Sequence, residues 1–251
     1  MELTNAKLIV KRPYKEVYDC EEEIVKVFET THPKSAVFNE ALNTVRIEET
    51  GLPVPALKEV VQIDGKWSLV LEKKEGKTLE QLMEEHPERM EEYMEAFVDL
   101  QLQIHAGRAP HLNKLTDKLM HQIDNLKELD ATQRYDLHMR LAGMKKHKKI
   151  CHGDFNPSNV IVAEDGTMSV VDWAHVAQGN ASADAAMTYL LFTLKNAKVA
   201  DLYMKLFCKK SDIARQYVQQ WLPIVAAAQL EKDNELNKEF LMSWIDVMDF
   251  Q

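Results

Sequence analysis

The sequence predicts an α+β chain in two parts: a small strand-rich N-terminal lobe over residues 1–75 and a larger, mostly helical lobe over residues 76–251. Three observations carry that reading. Short β-rich runs crowd the stretch from Ala6 to Leu71, helical periodicity dominates after Gly76, and a single β segment from Ile150 to Asp172 interrupts the helical part.

In the first lobe, Lys7 to Val10, Glu16 to Cys20 and Glu23 to Phe28 read as strands. Val60 to Ile63 and Ser68 to Leu71 flank the turn dipeptide Asp64-Gly65. Phe38, Ala41, Leu42, Val45 and Ile47 recur at roughly helical spacing, which predicts one helix whose apolar face they form; Gly51, Pro53 and Pro55 stop it. After Gly76, Leu79, Leu82 and Met83, then Met94, Phe97, Val98, Leu100, Leu102 and Ile104, fall on helical apolar faces. Helical periodicity returns from about Ala183 to the end of the chain.

Composition narrows the function. The 251 residues are 45% hydrophobic and 28% charged, enough to bury a sizeable core, which excludes fibrous and wholly disordered classes. No apolar run is long enough for a membrane helix, and Met1 to Asn5 lacks an export pattern, so the expected compartment is the cytoplasm. Cys20, Cys151 and Cys208 are scattered, odd in number and without CxxC spacing, which excludes a disulfide framework or a thiolate zinc site. A net charge of −9 opposes nucleic acid and anionic membrane as partners.

The β segment carries the chemistry. It reads His152-Gly153-Asp154-Phe155-Asn156-Pro157-Ser158-Asn159, then an apolar run, Asp165-Gly166, a second apolar run and Asp172-Trp173. With Asp165-Gly166 as a two-residue hairpin tip, Asn159 lies directly across from Asp172, roughly 4.5–5.5 Å apart at Cβ. A carboxylate and an amide offering only oxygen suit Mg²⁺, which completes its shell with water and substrate phosphates, and this implies a nucleotide. Asp154, five residues before Asn159, can orient an attacking hydroxyl and accept its proton, as phosphoryl transfer requires of one residue. Singly, each Asp or Asn is an ordinary turn or capping residue; together they need a site.

This pattern resembles the aminoglycoside phosphotransferase and choline kinase family, whose fold is the two-lobed protein-kinase-like one. The resemblance implies a catalytic base at Asp154, a loop buttress at His152 and metal ligands at Asn159 and Asp172. Ile24-Val25-Lys26-Val27-Phe28 resembles the strand whose lysine holds the nucleotide's phosphates, and alternation alone puts Ile24, Lys26 and Phe28 on one face. The family's helix glutamate partner of that lysine is best matched by Glu40. Leu69 to Leu79 resembles the interlobe hinge, implying contact with the nucleotide base near Glu72 to Lys74. Ile104-His105-Ala106 matches the end of a core helix, where His105 reads as a packing residue, and Asp184 resembles an aspartate that braces the catalytic loop. The implied cofactors are ATP, with GTP as the other option, and Mg²⁺.

One departure stands out. No glycine precedes Gly51, so the turn Lys11-Arg12-Pro13-Tyr14-Lys15 has no glycine cradle for phosphates, and its three basic side chains are expected to replace it. The acceptor is expected to be a small molecule with a hydroxyl. Six acids against two lysines between Glu231 and Gln251, with Tyr217, Trp221 and Trp244 as aromatic candidates, point to a cationic one. Oligomeric state leaves no trace in the sequence. A non-catalytic nucleotide-binding module is the alternative that the missing glycines favour. A metal-dependent hydrolase using His152, Asp154 and Asp172 as ligands is a third.

Overall fold

A computed structural model describes Leu3, residues 6–232 and residues 237–245. The chain divides into two compact units, one formed by residues 1–85 with 157–175 and the other by 86–156 with 176–251. In the first half, strands β1 (Lys7–Lys11), β2 (Lys15–Asp19) and β3 (Glu23–Phe28) precede helix α1 (Lys34–Glu48). Strands β4 (Leu57–Ile63), β5 (Lys66–Glu72) and β6 (Lys77–Thr78) lead into α2 (Leu79–Glu85), α3 (Met90–Ala106), α4 (Leu115–Asn125) and α5 (Ala131–Gly143). Then come β7 (Lys149–Cys151), β8 (Val160–Val162), β9 (Met168–Val170) and β10 (Ala177–Gly179). Helices α6 (Ala181–Lys195), α7 (Ala197–Ser211), α8 (Arg215–Gln219), α9 (Leu222–Lys232) and α10 (Lys238–Ile245) follow.

The strand-rich unit is built on an antiparallel sheet ordered β1-β2-β3-β5-β4. Alternation gives the sheet two apolar faces. Val25, Val27, Ile63 and Val70 form one buried cluster, and Phe28 and Leu69 pack with Val37 and Ala41 of α1 in the other. The buried stripe of α1 is only partly the expected one: Ala41 and Ile47 are buried together with Val37, Glu40, Asn43 and Thr44, but Phe38, Leu42 and Val45 are 41%, 47% and 36% exposed. Polar residues claim the inward face because they have partners there. Asn43 donates to the Ala174 carbonyl at 3.4 Å, while the Thr44 hydroxyl is satisfied within α1 itself by the Glu40 carbonyl at 3.0 Å.

This unit extends beyond the expected break after residue 75, through β6 and α2. It also takes in residues 157–175, because β6 pairs with β8 and β8 with β9 in a small sheet of their own. Two-residue β6 and three-residue β10 are too short to show period-two alternation, so neither appears in the sequence pattern.

The helical unit centres on α6, whose residues from Ala181 to Leu190 are all buried. Phe97 of α3 stacks on Phe155 at 4.3 Å between ring centroids and meets Phe192 and Tyr203 edge-on. Three helix starts carry side-chain caps: Asp130 and Gln133 form a capping box on α5, and Asn180 and Asn196 cap α6 and α7. Among the described residues no helix is long and apolar enough to cross a membrane.

Candidate active site

In the strand-rich unit, antiparallel register sets Lys26 opposite Val17 and Phe28 opposite Lys15, so Lys15, Val17, Lys26 and Phe28 share the face covered by α1. Lys26 is 7% exposed, and its ammonium is 2.6 Å from Glu40 Oε1 and 2.7 Å from Asp172 Oδ1. The glutamate chosen from the sequence is therefore the one that meets this lysine. Lys15, also 7% exposed, reaches the same Asp172 carboxylate at 3.2 and 3.4 Å. Burial works to raise the Asp172 carboxyl, and the charges of Lys26 and then Lys15 overcome it, holding the group ionised far below the usual carboxylate range. For Lys26, burial works to lower the ammonium, and Asp172 and Glu40 outweigh it and raise it. Well-packed apolar residues usually replace a buried ion cluster without loss of stability, so such a cluster marks function more than folding strength.

Lys15 is the site residue that sequence reasoning misplaced. It belongs to the start of a strand, not to a basic covering turn, and of the three expected cover charges Lys11 is paired with Glu16 at 2.7 Å. The signal was available: in Lys15-Glu16-Val17-Tyr18-Asp19, alternation puts Lys15 on the inward face with Val17.

The hairpin that carries Asn159 and Asp172 also differs from expectation by one residue. Val160 faces Val170, Ile161 faces Ser169 and Val162 faces Met168. The loop has three residues, Glu164, Asp165 and Gly166, closed by an Ala163 N–H to Thr167 O bond of 2.9 Å, with Gly166 at φ +85°. Asp64-Gly65, by contrast, does form the two-residue turn, with φ of +48° and +77°. The difference lies in the Asp165 carboxylate, which accepts the Thr167 N–H at 2.8 Å and holds a local Asx turn instead.

Asn159 consequently faces Val171, not Asp172. The Val171 N–H donates to the Asn159 carbonyl at 2.9 Å, so the backbones of Asn159 and of the residue before Asp172 are joined. Asn159 closes a 3-10 turn (Pro157–Asn159), and Asp172 sits at φ +61°, in the left-handed region that aspartate tolerates. Both stand outside the regular ladder, where alternation no longer dictates side-chain direction. As a donor set, an ionised carboxylate that already collects two cations and an amide on the adjoining strand end fit a hard divalent cation such as Mg²⁺. Among the described residues no group of three His, Cys, Asp or Glu could hold a metal.

In the helical unit, β7 delivers His152, Gly153, Asp154 and Phe155. His152 is fully buried, edge-on to Phe155 at 5.9 Å, and its Nδ1 accepts the Asp154 N–H at 3.3 Å. The side-chain amide of Asn156 donates to the Asp154 carbonyl at 3.0 Å. From α6, Asp184 Oδ1 accepts the Gly153 N–H at 2.7 Å, and the Thr188 hydroxyl donates to the Phe155 carbonyl at 2.8 Å. Asp184 Oδ2 lies 2.9 Å from His105 Nε2 of α3, so His105 is a buried hydrogen-bonded residue rather than a ligand. Burial works to raise the Asp184 carboxyl, but His105 and the Gly153 N–H bring it below its ordinary value. The loop's backbone on either side of Asp154 is therefore pinned to α6, and Asp184 is in turn held to α3 through His105.

The remaining expected positions are less telling. The Glu72 carboxylate binds the Lys74 ammonium at 2.6 Å and the Ala56 N–H at 3.1 Å, so these two side chains are occupied with each other. In the acidic segment, Asp233, Glu235, Asp246 and Asp249 lie outside the described residues; Glu239 is exposed and Glu231 accepts from Gln122 at 3.4 Å. Trp221 is 1% exposed and the Tyr217 hydroxyl accepts from Asn180 at 2.8 Å, so Trp221 is core and Tyr217 is tied to a helix cap. Trp244 lies edge-on to Phe240 at 6.2 Å. A small cavity of the helical unit is lined by Leu115, Leu119, Met187 and Val225, with Gly153 and Asp184 at its polar side.

A five-stranded antiparallel sheet with its lysine–glutamate–aspartate cluster, and a helical unit bracing a His-Gly-Asp loop, define a protein of the protein-kinase-like fold. The sequence model of the phosphotransferase enzyme family matches residues 14–221, and the chain belongs to that family. Solved structures agree on the fold. A thermostable mutant of aminoglycoside phosphotransferase APH(4)-Ia superposes with a TM-score of 0.73 at 12% identity, covering 96% of this chain and 92% of its own. Aminoglycoside-3'-phosphotransferase of type VIII gives 0.67 at 15% identity, over 89% and 93%. A choline/ethanolamine kinase family protein from Mesorhizobium loti gives 0.62 at 14% identity, over 96% and 84%. No curated protein matches the sequence significantly.

Proposed function

We propose that the chain transfers the γ-phosphoryl group of ATP to a hydroxyl of a small molecule, with Mg²⁺ as cofactor. The observation that carries this reading is the buried Lys26 shared between Glu40 and Asp172, an arrangement that keeps one ammonium and one ionised carboxylate ready for a metal-bound polyphosphate. Lys26 binds phosphate oxygens and Glu40 fixes its position. Asn159 and Asp172 would hold Mg²⁺, which when bound supplies positive charge against the phosphate oxygens. The acceptor oxygen forms a bond to the γ-phosphorus as the bond to the β–γ bridging oxygen breaks, and Asp154 takes the hydroxyl proton. His152 and Asp184 hold the loop so that Asp154 presents its carboxylate rather than its backbone motion.

Family relatives support the class of ligand. APH(4)-Ia has been crystallised as ternary complexes with ADP or AMP-PNP and hygromycin B, and LicA with AMP. For this chain the reading extends to ATP, with GTP as the alternative donor, and to an amino alcohol, sugar or aminoglycoside as acceptor, working in the cytoplasm. The cavity beside Gly153 and Asp184 is where the acceptor would be sought, and the acidic end of the chain favours a cationic one.

The test is a mass-spectrometric screen of purified protein with ATP, Mg²⁺ and a library of metabolites and antibiotics, scored for gain of one phosphoryl group. Asp154→Ala should lower turnover of any hit by about 100-fold or more while leaving ATP affinity intact. Wild-type turnover in that variant refutes the assignment of the base. ATP binding without transfer to any acceptor would favour the non-catalytic module.

A further inference from the structure

We propose that Lys15 is a second phosphate-binding lysine, held on Asp172 in the resting chain and passed to the nucleotide's phosphates when a divalent cation takes that carboxylate. The inference rests on the ATP reading above. Four charged groups meet here: Lys15 and Lys26, Glu40 and Asp172. The two lysines are not equivalent. Lys26 makes two contacts shorter than 2.8 Å with two different carboxylates, and one of these, Glu40, is not a metal ligand. Among the described residues Lys15 makes one ion pair, with Asp172 at 3.2 Å and with its second oxygen at 3.4 Å.

Suppose a divalent cation binds Asp172. Lys26 keeps Glu40, but Lys15 loses its carboxylate partner while its side chain remains 8% exposed beside two further positive charges. A buried, unpaired ammonium next to a like charge is strongly unfavourable, so the side chain must find another anion. The triphosphate carried by the same cation is the nearest, and a lysine's four-carbon stem has the freedom to follow it. Lys15 directly follows the turn Arg12-Pro13-Tyr14, which has no glycine and so no nest of backbone N–H groups for phosphate. A mobile ammonium at the base of that turn does the work that a glycine cradle does elsewhere.

The test is nucleotide affinity, measured by calorimetry on the full chain with AMP-PNP plus Mg²⁺, AMP-PNP in EDTA, and adenosine. Lys15→Met should weaken AMP-PNP binding in Mg²⁺ by about 10- to 100-fold, the loss of one charge-assisted hydrogen bond. It should leave adenosine affinity unchanged and weaken AMP-PNP in EDTA far less, because without the cation Lys15 stays on Asp172. Equal affinity of wild type and variant in Mg²⁺, or an equal loss for adenosine, overturns the proposal. Wild type that fails to bind AMP-PNP at all refutes the ATP reading itself, a separate outcome. Thermal unfolding checks that Lys15→Met folds; if it does not, Lys15→Gln, which keeps a hydrogen-bond donor for Asp172, is read in the same three conditions.

Discussion

Replacing Asp184 tests the bracing of the His152–Asn156 loop most directly. The side chain is 2% exposed and receives the Gly153 N–H at 2.7 Å, His105 Nε2 at 2.9 Å and a longer contact from Gln101 at 3.4 Å. In Asp184→Ala the part-buried Gly153 N–H and the buried His105 Nε2 lose the Asp184 carboxylate, while Gln101 retains Thr188 at 3.2 Å. Two lost charge-assisted bonds and the small void put the loss at about 3–5 kcal/mol. Asp184→Asn should be milder, at about 1–2 kcal/mol. Its amide oxygen still accepts from Gly153, and its NH₂ can donate to His105 Nε2 once the imidazole moves its proton to Nδ1. Nδ1 is buried with no hydrogen-bond partner, so nothing opposes that tautomer except one unpaired N–H. Urea unfolding followed by circular dichroism gives both numbers. An alanine variant within about 1 kcal/mol of wild type, or an asparagine variant as unstable as alanine, would refute the reasoning.

Two more predictions concern the same physics elsewhere. A Cβ on Gly76, at φ +134°, would lie 2.1 Å from the Val162 carbonyl oxygen, so Gly76→Ala should destabilise by about 2–4 kcal/mol in the same assay. Gly51→Ala, at φ +75° in open space, should lose only about 1 kcal/mol, and equal losses would show that steric contact is not the cause. Acid should separate Asp184→Asn from wild type. The folded Asp184 carboxyl lies below its ordinary value, so protonation favours the unfolded chain. Its stabilisation is complete above about pH 4 and is lost as the pH falls toward the folded value. The stability gap between wild type and Asp184→Asn should therefore shrink on acidification below about pH 4, and a gap that widens would reverse the sign argued here.

The contrast between Lys26 and Lys15 shows what a sequence can reveal about such a site. Lys26 lies in a run of β-branched residues with apolar neighbours of the same parity at Ile24 and Phe28, so its inward direction and its need for an anion follow from alternation alone. Glu40 was reachable through resemblance, but its burial was not, because the apolar residues of α1 suggest a stripe through Phe38, Leu42 and Val45. The true inward face is set by polar groups that find partners only in the folded unit, and no periodicity of hydrophobic residues can show that. Lys15 was hidden differently. It sits beside Lys11, Arg12 and Pro13, where local composition reads as a solvated turn and masks the strand alternation that turns Lys15 inward, opposite Phe28 on the neighbouring strand. The hairpin gives the same lesson at finer scale. Two Asp-Gly dipeptides form two different turns, because in one the aspartate's own carboxylate captures the Thr167 N–H and adds a residue to the loop. A slip of one residue would ordinarily turn a side chain to the opposite face of the sheet. That rule does not reach Asn159 and Asp172, which stand outside the ladder, one closing a 3-10 turn and the other in a left-handed conformation. The identity of the charged residues was thus legible from their order, whereas their grouping depends on backbone conformations at strand ends, which hydrophobic patterning does not encode.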